Sequence, residues 1–104
     1  MTVDKRLKVG VIGAGYLGSI HARIYGRMND VDLVGIADIN RKAGEQAAKE
    51  CDCEYFEDAR FMLDRVDAVS IVVPTSAHRE VAEPFLNARI PVLVEKPIAH
   101  TLVD

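Results

Sequence analysis

The chain has 104 residues, 49% of them hydrophobic, and thirteen Lys and Arg against sixteen Asp and Glu leave a formal net charge of −3. That is enough for one packed core, a single domain over residues 1–104, and too little positive charge for a nucleic-acid or anionic-membrane partner. No segment reaches the roughly twenty apolar residues of a membrane helix, and the charged, glycine-broken start does not resemble a signal peptide. The expectation is a cytoplasmic protein whose partners are small molecules and other protein surfaces.

Leu7 to Ile12 is a short β-branched run ending in glycine, the form of a strand buried on both faces of a parallel sheet. From Gly15 to Met28 the residues Leu17, Ile20, Ala22, Ile24 and Met28 fall on one helical stripe, with Gly26 and Asn29 as its exit. Val31 to Ala37 is a second strand with Asp38 at its end, and Arg41 to Cys51 has the alanine-rich, charged composition of a helix lying on a sheet. Tyr55-Phe56 predicts a short third strand, followed by a brief helix from about Asp58 to Leu63. Ala68 to Val73 is the fourth strand, stopped by Pro74, and Ser76 is placed to cap a helix running to about Ala88. Pro84 inside that helix costs about 3 kcal/mol unless the helix bends, so a kink is expected. The exit through Ala88-Arg89-Ile90 has no glycine, so a left-handed cap would fall on Arg89 at roughly 1 kcal/mol. Ile90 to Val94 is the fifth strand, delivering Glu95-Lys96-Pro97.

Strands alternating with helices at these lengths predict an α/β fold: a doubly wound parallel sheet of order 3-2-1-4-5 between two helical layers. The turn after the first strand carries Gly13, Gly15 and Gly18 in the spacing G-x-G-x-x-G. In that spacing the first glycine makes a tight turn, the second leaves bare backbone for a pyrophosphate, and the third lets helix pack on strand. The helix N-terminus adds unpaired N–H groups and partial positive charge, and Tyr16 and Leu17 complete the cofactor loop. Asp38, twenty residues past Gly18, is the acceptor expected for the adenosine ribose hydroxyls. Its carboxylate repels a 2′-phosphate, so NAD is favoured, while nearby Arg41 keeps NADP as a second option. Ile39 offers an apolar wall beside the adenine. Pro74, Thr75 and Ser76, after the fourth strand, lie where ligands collect in open α/β sheets, and equally suit an ordinary loop and cap.

The two cysteines, Cys51 and Cys53, are too close in sequence for an ordinary disulfide and too few to close a tetrahedral zinc site, so two reduced thiols are expected. His21 reads as a packing or surface residue, and no metal site is expected.

The runs Val9–Gly18 continuing into Ser-Ile-His-Ala, Ala37-Asp38, Val73-Pro74-Thr75, His78 and Pro91-Val-Leu-Val-Glu-Lys-Pro-Ile-Ala together resemble the N-terminal domain of the Gfo/Idh/MocA oxidoreductases. The resemblance implies a Rossmann-type NAD(P)-binding domain of a dehydrogenase acting on a sugar, inositol or related polyol. It implies that Lys96 reaches toward substrate and nicotinamide, with Glu95 holding local geometry or the nicotinamide ribose and Pro97 fixing the loop. His78 is implied near the cofactor edge, in a structural role, and His100 has no counterpart. Family members continue into a sixth strand and a substrate domain that supplies the catalytic histidine and its acidic partner. Thr101-Leu-Val-Asp104 has the form of a capping box opening a helix. The chain is therefore expected to be a fragment, truncated before the last strand, that binds nucleotide without catalysing and tends to self-associate as a homo-oligomer. Two other readings stand beside this one: a stand-alone NAD(H)-binding or redox-sensing module, and a methyltransferase-like site.

Overall fold

The computed structural model describes residues 6–13, 15–73 and 75–94, and for residues 16, 17, 75–78 and 94 the backbone alone. In chain order the elements are β1 (Leu7–Ile12), α1 (Tyr16–Arg27), β2 (Val31–Ala37), α2 (Arg41–Glu50), β3 (Glu54–Phe56), a 3₁₀ turn (Ala59–Met62), β4 (Ala68–Ile71), α3 (Thr75–Asn87) and β5 (Val92–Val94). The five strands form one sheet in the order β3-β2-β1-β4-β5, and every neighbouring pair is parallel. This is the doubly wound α/β topology read from the alternation of elements.

Strand pleating sorts the side chains into two cores. Val11 and Ile36 point to one face and pack with Ala22 of α1 and Ala47 of α2. Ile12, Ala37, Val69 and Ile71 point to the other, with Phe56, Met62, Ala82 and Phe85. The small residues matter here: alanines on α1 and α2 let those helices approach the sheet, while fully buried Phe85 fills the wider space under α3. On the α1 face the fully buried Ser70 is hydrogen-bonded to His21, with Oγ and Nδ1 2.9 Å apart. His21 is thus a packing residue tied to the sheet, and its ring meets Tyr25 edge-on at 6.4 Å.

Several element ends differ from the sequence-based expectation. α3 begins at Thr75, which puts Ser76 inside the first turn and not at the cap. The exit of α1 runs through Met28 with extended backbone (φ −84°, ψ 130°), and Gly26 lies within the helix. β4 ends at Ile71 and β5 begins at Val92, each shorter than its apolar run, because hydrophobicity reports burial and the ladder stops where neighbouring backbone diverges. The segment after β3 is a single 3₁₀ turn capped by the Asp58 carboxylate, which accepts from the Arg60 N–H. α3 continues to Asn87 with Pro84 inside it, so the Glu80 carbonyl lacks the donor that a residue other than proline would supply. Arg89 does adopt the left-handed conformation, at φ 62°. Asp52, just past α2, does so too at φ 55°, a strain that short polar side chains tolerate better than most.

Cys51 and Cys53 are free thiols, half-buried at the edge of the α2 core. Burial is the largest influence on both, raising the Cys51 pKa and pushing that of Cys53 up to about 12. That desolvation disfavours the thiolate at both, most strongly at Cys53.

Candidate functional site

The glycine turn divides its three tasks among its three glycines. Gly13 has φ 105°, and a Cβ there would run into the carbonyl of Val72, so the turn at the end of β1 accepts glycine alone. A Cβ on Gly18 would collide with the carbonyl oxygen of Gly13, so the third glycine lets α1 sit directly on the turn. Gly15 is different: a Cβ there would meet nothing within 4 Å, and its φ of −66° is open to any residue. Among the described residues, no packing or backbone reason calls for glycine at that position. The room above it is a cradle that a methyl group would begin to fill.

Gly15 is also the N-cap of α1. It brings no side-chain cap, and the first turn carries no acidic residue. The Ser19 N–H reaches back to the Gly15 carbonyl, which leaves the amides before it as the orphan donors of a helix start. Orphan donors and the positive end of the helix dipole suit an anion.

Beside this turn an open cleft of about 560 Å³ runs along the carboxyl ends of the strands, and its lining includes Gly13, Ala37, Asp38, Ile39, Val73 and Val81. Gly13 and Asp38 are mechanically connected: the Gly13 N–H donates to the Ala37 carbonyl at 2.7 Å, and the Val72 N–H donates to the Ile12 carbonyl at 2.8 Å. Asp38 accepts the Asn40 N–H on Oδ1 at 2.7 Å, and the Asn40 side chain, not Asp38, caps α2 by accepting from the Ala43 N–H. Ile39 is 101% exposed, an isoleucine standing wholly in solvent at the cleft rim.

Of the residues singled out from sequence, Gly13, Asp38 and Ile39 line the cleft, and Gly15 and Gly18 shape the turn at its edge. Tyr16 and Leu17 lie in the first turn of α1, and Thr75 and His78 in the first turn of α3. Arg41 is not among the described residues of the lining. Its guanidinium pairs along α2 with Glu45 at 3.2 Å, and that hydrogen bond holds its pKa above the ordinary value. Pro74, Glu95, Lys96, Pro97 and His100 lie outside the described residues.

Sequence reasoning missed the far wall. Glu57, Asp58, Ala59 and Arg60 from the turn after β3, and Glu80 and Pro84 from α3, all line the cleft. Arg60 is clasped by Asp58, with Nη2 2.6 Å from Oδ2, and this pairing lowers the Asp58 pKa. The described lining thus carries Asp38, Glu57, Asp58 and Glu80 against Arg60 alone, and that cation is already paired. Such a wall disfavours an additional phosphate. The available signal was the position of Glu57–Arg60 immediately after a strand end, where an open α/β sheet gathers its ligand contacts. Among the described residues, no three His, Cys, Asp or Glu side chains are grouped to hold a metal ion. No helix of the described residues is long and apolar enough to cross a membrane.

A doubly wound parallel sheet, a glycine turn opening the first crossover helix, and a carboxylate at the end of the second strand define a dinucleotide-binding domain. Residues 7–104 match the family model for Gfo/Idh/MocA oxidoreductases, described as an oxidoreductase family with an NAD-binding Rossmann fold; the chain belongs to that family and comprises its NAD-binding domain. A UDP-N-acetylglucosamine 3-dehydrogenase of Acidithiobacillus ferrooxidans is 42% identical over 91 residues, which cover 88% of this chain and 28% of that protein. An inositol 2-dehydrogenase of Rubrobacter xylanophilus is 36% identical over 101 residues, covering 94% of this chain and 29% of that one. Among solved structures, scyllo-inositol dehydrogenase from Lactobacillus casei with bound NAD(H) and scyllo-inositol superimposes with a TM-score of 0.80 at 36% identity, over 90% of this chain and 29% of that one. The chain spans under a third of the length of these relatives.

Proposed function

We propose that this domain is the cofactor-binding part of an NAD-dependent dehydrogenase that acts on a secondary hydroxyl of a sugar, inositol or related polyol. When bound, the nicotinamide supplies a hydride acceptor or donor. The protein's own contribution is to grip and orient the dinucleotide. The bare backbone at Gly15 and the first-turn amides of α1 hold the diphosphate, and Asp38 accepts from the adenosine ribose hydroxyls. Ile39 covers the adenine, and Tyr16, Leu17, Pro74, Thr75 and His78 complete the grip. The single observation that carries the reading is the contrast at the glycine turn: Gly13 and Gly18 are required by the protein's own packing, whereas Gly15 faces open space beside a cleft that also contains Asp38.

By family resemblance Lys96 reaches the substrate hydroxyl, where its ammonium stabilises developing negative charge on oxygen, and Glu95 and Pro97 hold that lysine in place. The acidic wall supports NAD over NADP, because a 2′-phosphate would meet Asp38 among further carboxylates. In this reading the substrate binds to a separate portion of the protein, the assembly is a homo-oligomer, and the compartment is the cytoplasm, which the two free thiols favour.

The test is calorimetric titration of the chain with NADH and NADPH, together with steady-state turnover of inositols and hexose derivatives by the enzyme that carries it. Saturable NADH binding weakened about tenfold or more by Asp38→Ala, and turnover lost in Lys96→Ala, are the expected results. S-adenosylmethionine binding in place of NADH would overturn the cofactor assignment. Tight NADH binding without turnover of any polyol would overturn the dehydrogenase assignment.

A further inference from the structure

Asp38 does not hold its own position. It follows Ala37, the last residue of β2, and its carboxylate accepts the Asn40 N–H. A further restraint comes from β3, the neighbouring strand. There Ile36 pairs with Tyr55, so Tyr55 points to the α2 face of the sheet and its ring lies beneath that helix. At the contact the helix carries Gly44, which is buried; a Cβ at that position would penetrate the Tyr55 ring and stand 3.2 Å from the Asp38 Cβ. The glycine thus opens a slot through which the phenol reaches the turn, and its hydroxyl donates to the Asp38 carbonyl at 2.8 Å.

We propose that Tyr55 is a positioning residue for cofactor recognition: by holding the Asp38 carbonyl through the slot at Gly44, it aims the Asp38 carboxylate and so sets the preference for NAD over NADP. The proposal rests on the role of Asp38 given above. The geometry favours it over a purely structural account. A phenylalanine would fill the same space; the hydroxyl adds a hydrogen bond to the Asp38 carbonyl, and so ends on the one residue whose orientation decides which ribose is accepted. Desolvation raises the Tyr55 pKa, outweighing the Arg41 cation that acts in the opposite sense, so the hydroxyl remains a donor across the neutral range. The Gly13-to-Ala37 hydrogen bond links the same turn to the diphosphate grip. The two halves of the cofactor site therefore share a frame whose outer support is Tyr55.

The experiment is a double-mutant cycle on the chain, with Kd values for NADH and NADPH measured on wild type, Tyr55→Phe, Asp38→Ala and the double variant. Phenylalanine keeps the ring under α2 and deletes only the donor. Loss of one hydrogen bond predicts NADH binding weakened about two- to tenfold. NADPH affinity should stay level or rise, because the carboxylate is less firmly held against a 2′-phosphate. In the Asp38→Ala background, Tyr55→Phe should change neither affinity. Gly44→Ala, which closes the slot, should show the same narrowing of the NADH-to-NADPH ratio, and so provides a second reading if Tyr55→Phe folds poorly. Equal losses for both cofactors, an undiminished effect in the Asp38→Ala background, or no change in the ratio for either variant would overturn the role of Tyr55 while leaving that of Asp38 intact. If wild type fails to bind NADH, or Asp38→Ala binds it as wild type does, the underlying reading falls, and this one with it.

Discussion

Substituting Gly15 and Gly18 one at a time separates what the glycine turn does for the protein from what it does for the cofactor. Gly15→Ala adds a methyl group into open space at a backbone conformation that alanine adopts without strain. Alanine is a poorer N-cap than glycine by roughly 0.5–1 kcal/mol, and reduced freedom of the unfolded chain returns about 0.4–1 kcal/mol. Net stability should move by less than about 0.5 kcal/mol. The added methyl stands between the cofactor and the bare backbone, and loss of one hydrogen bond to a charged phosphate is worth about 1.5–3 kcal/mol, which is roughly 10- to 150-fold in NADH affinity. Gly18→Ala drives a Cβ into the Gly13 carbonyl, a backbone contact relieved only by lifting α1 off β1. Overpacking of that kind costs about 1–3 kcal/mol and should lower the melting temperature by about 4–8 °C per kcal/mol in a domain of this size. Urea unfolding and calorimetric titration of the two variants read both quantities. Gly15→Ala binding NADH within twofold of wild type, or unfolding as readily as Gly18→Ala, would refute the reasoning.

Ser70→Ala should cost about 1–2 kcal/mol in urea unfolding, because it removes the hydroxyl that pairs with His21 inside the α1 interface, while NADH affinity stays unchanged. Asp58 should titrate below the ordinary carboxylate range in NMR, the Arg60 side-chain hydrogen bond being the largest cause, and Arg60→Gln should raise it only part of the way back, because the residue-60 backbone N–H still donates to it. Since its folded pKa is depressed, the stability linked to Asp58 is present above the unfolded value of about 3.9 and is lost as pH falls through the folded value. Alkylation of the native protein at mildly alkaline pH should modify Cys51 well ahead of Cys53, whose thiol stays protonated up to about 12; equal rates would show that Cys53 is not desolvated as described.

The fold was legible because its determinants are local. Apolar runs marked all five strands, Gly13 closing the first and Pro74 the fourth, and the order 3-2-1-4-5 followed from alternation and the handedness of crossovers. The near half of the cleft was legible for the same reason, since Gly13, Gly15, Gly18 and Asp38 lie at fixed distances along one βαβ unit. What escaped depends on pairing between distant segments. That Tyr55 supports Asp38 requires the β2–β3 register and the missing side chain of Gly44, and neither leaves a trace in local sequence. The wall of Glu57, Asp58, Arg60 and Glu80 escaped because charged residues after a short strand look the same whether they face solvent or a ligand cleft. α3 takes in Ser76 because composition alone does not separate Thr75 from Ser76 as the start of the helix, and only the backbone decides between them.

Backbone amide NMR during an NADH titration addresses the core of the account most directly. Saturable shifts are expected at Gly15, Gly18, Asp38 and Ile39, with those at Asp38 and Ile39 absent when nicotinamide mononucleotide replaces the dinucleotide. Shifts confined instead to the opposite end of the strands, where Arg27, Asp32 and Asp52 line a separate cavity of about 370 Å³, would contradict it.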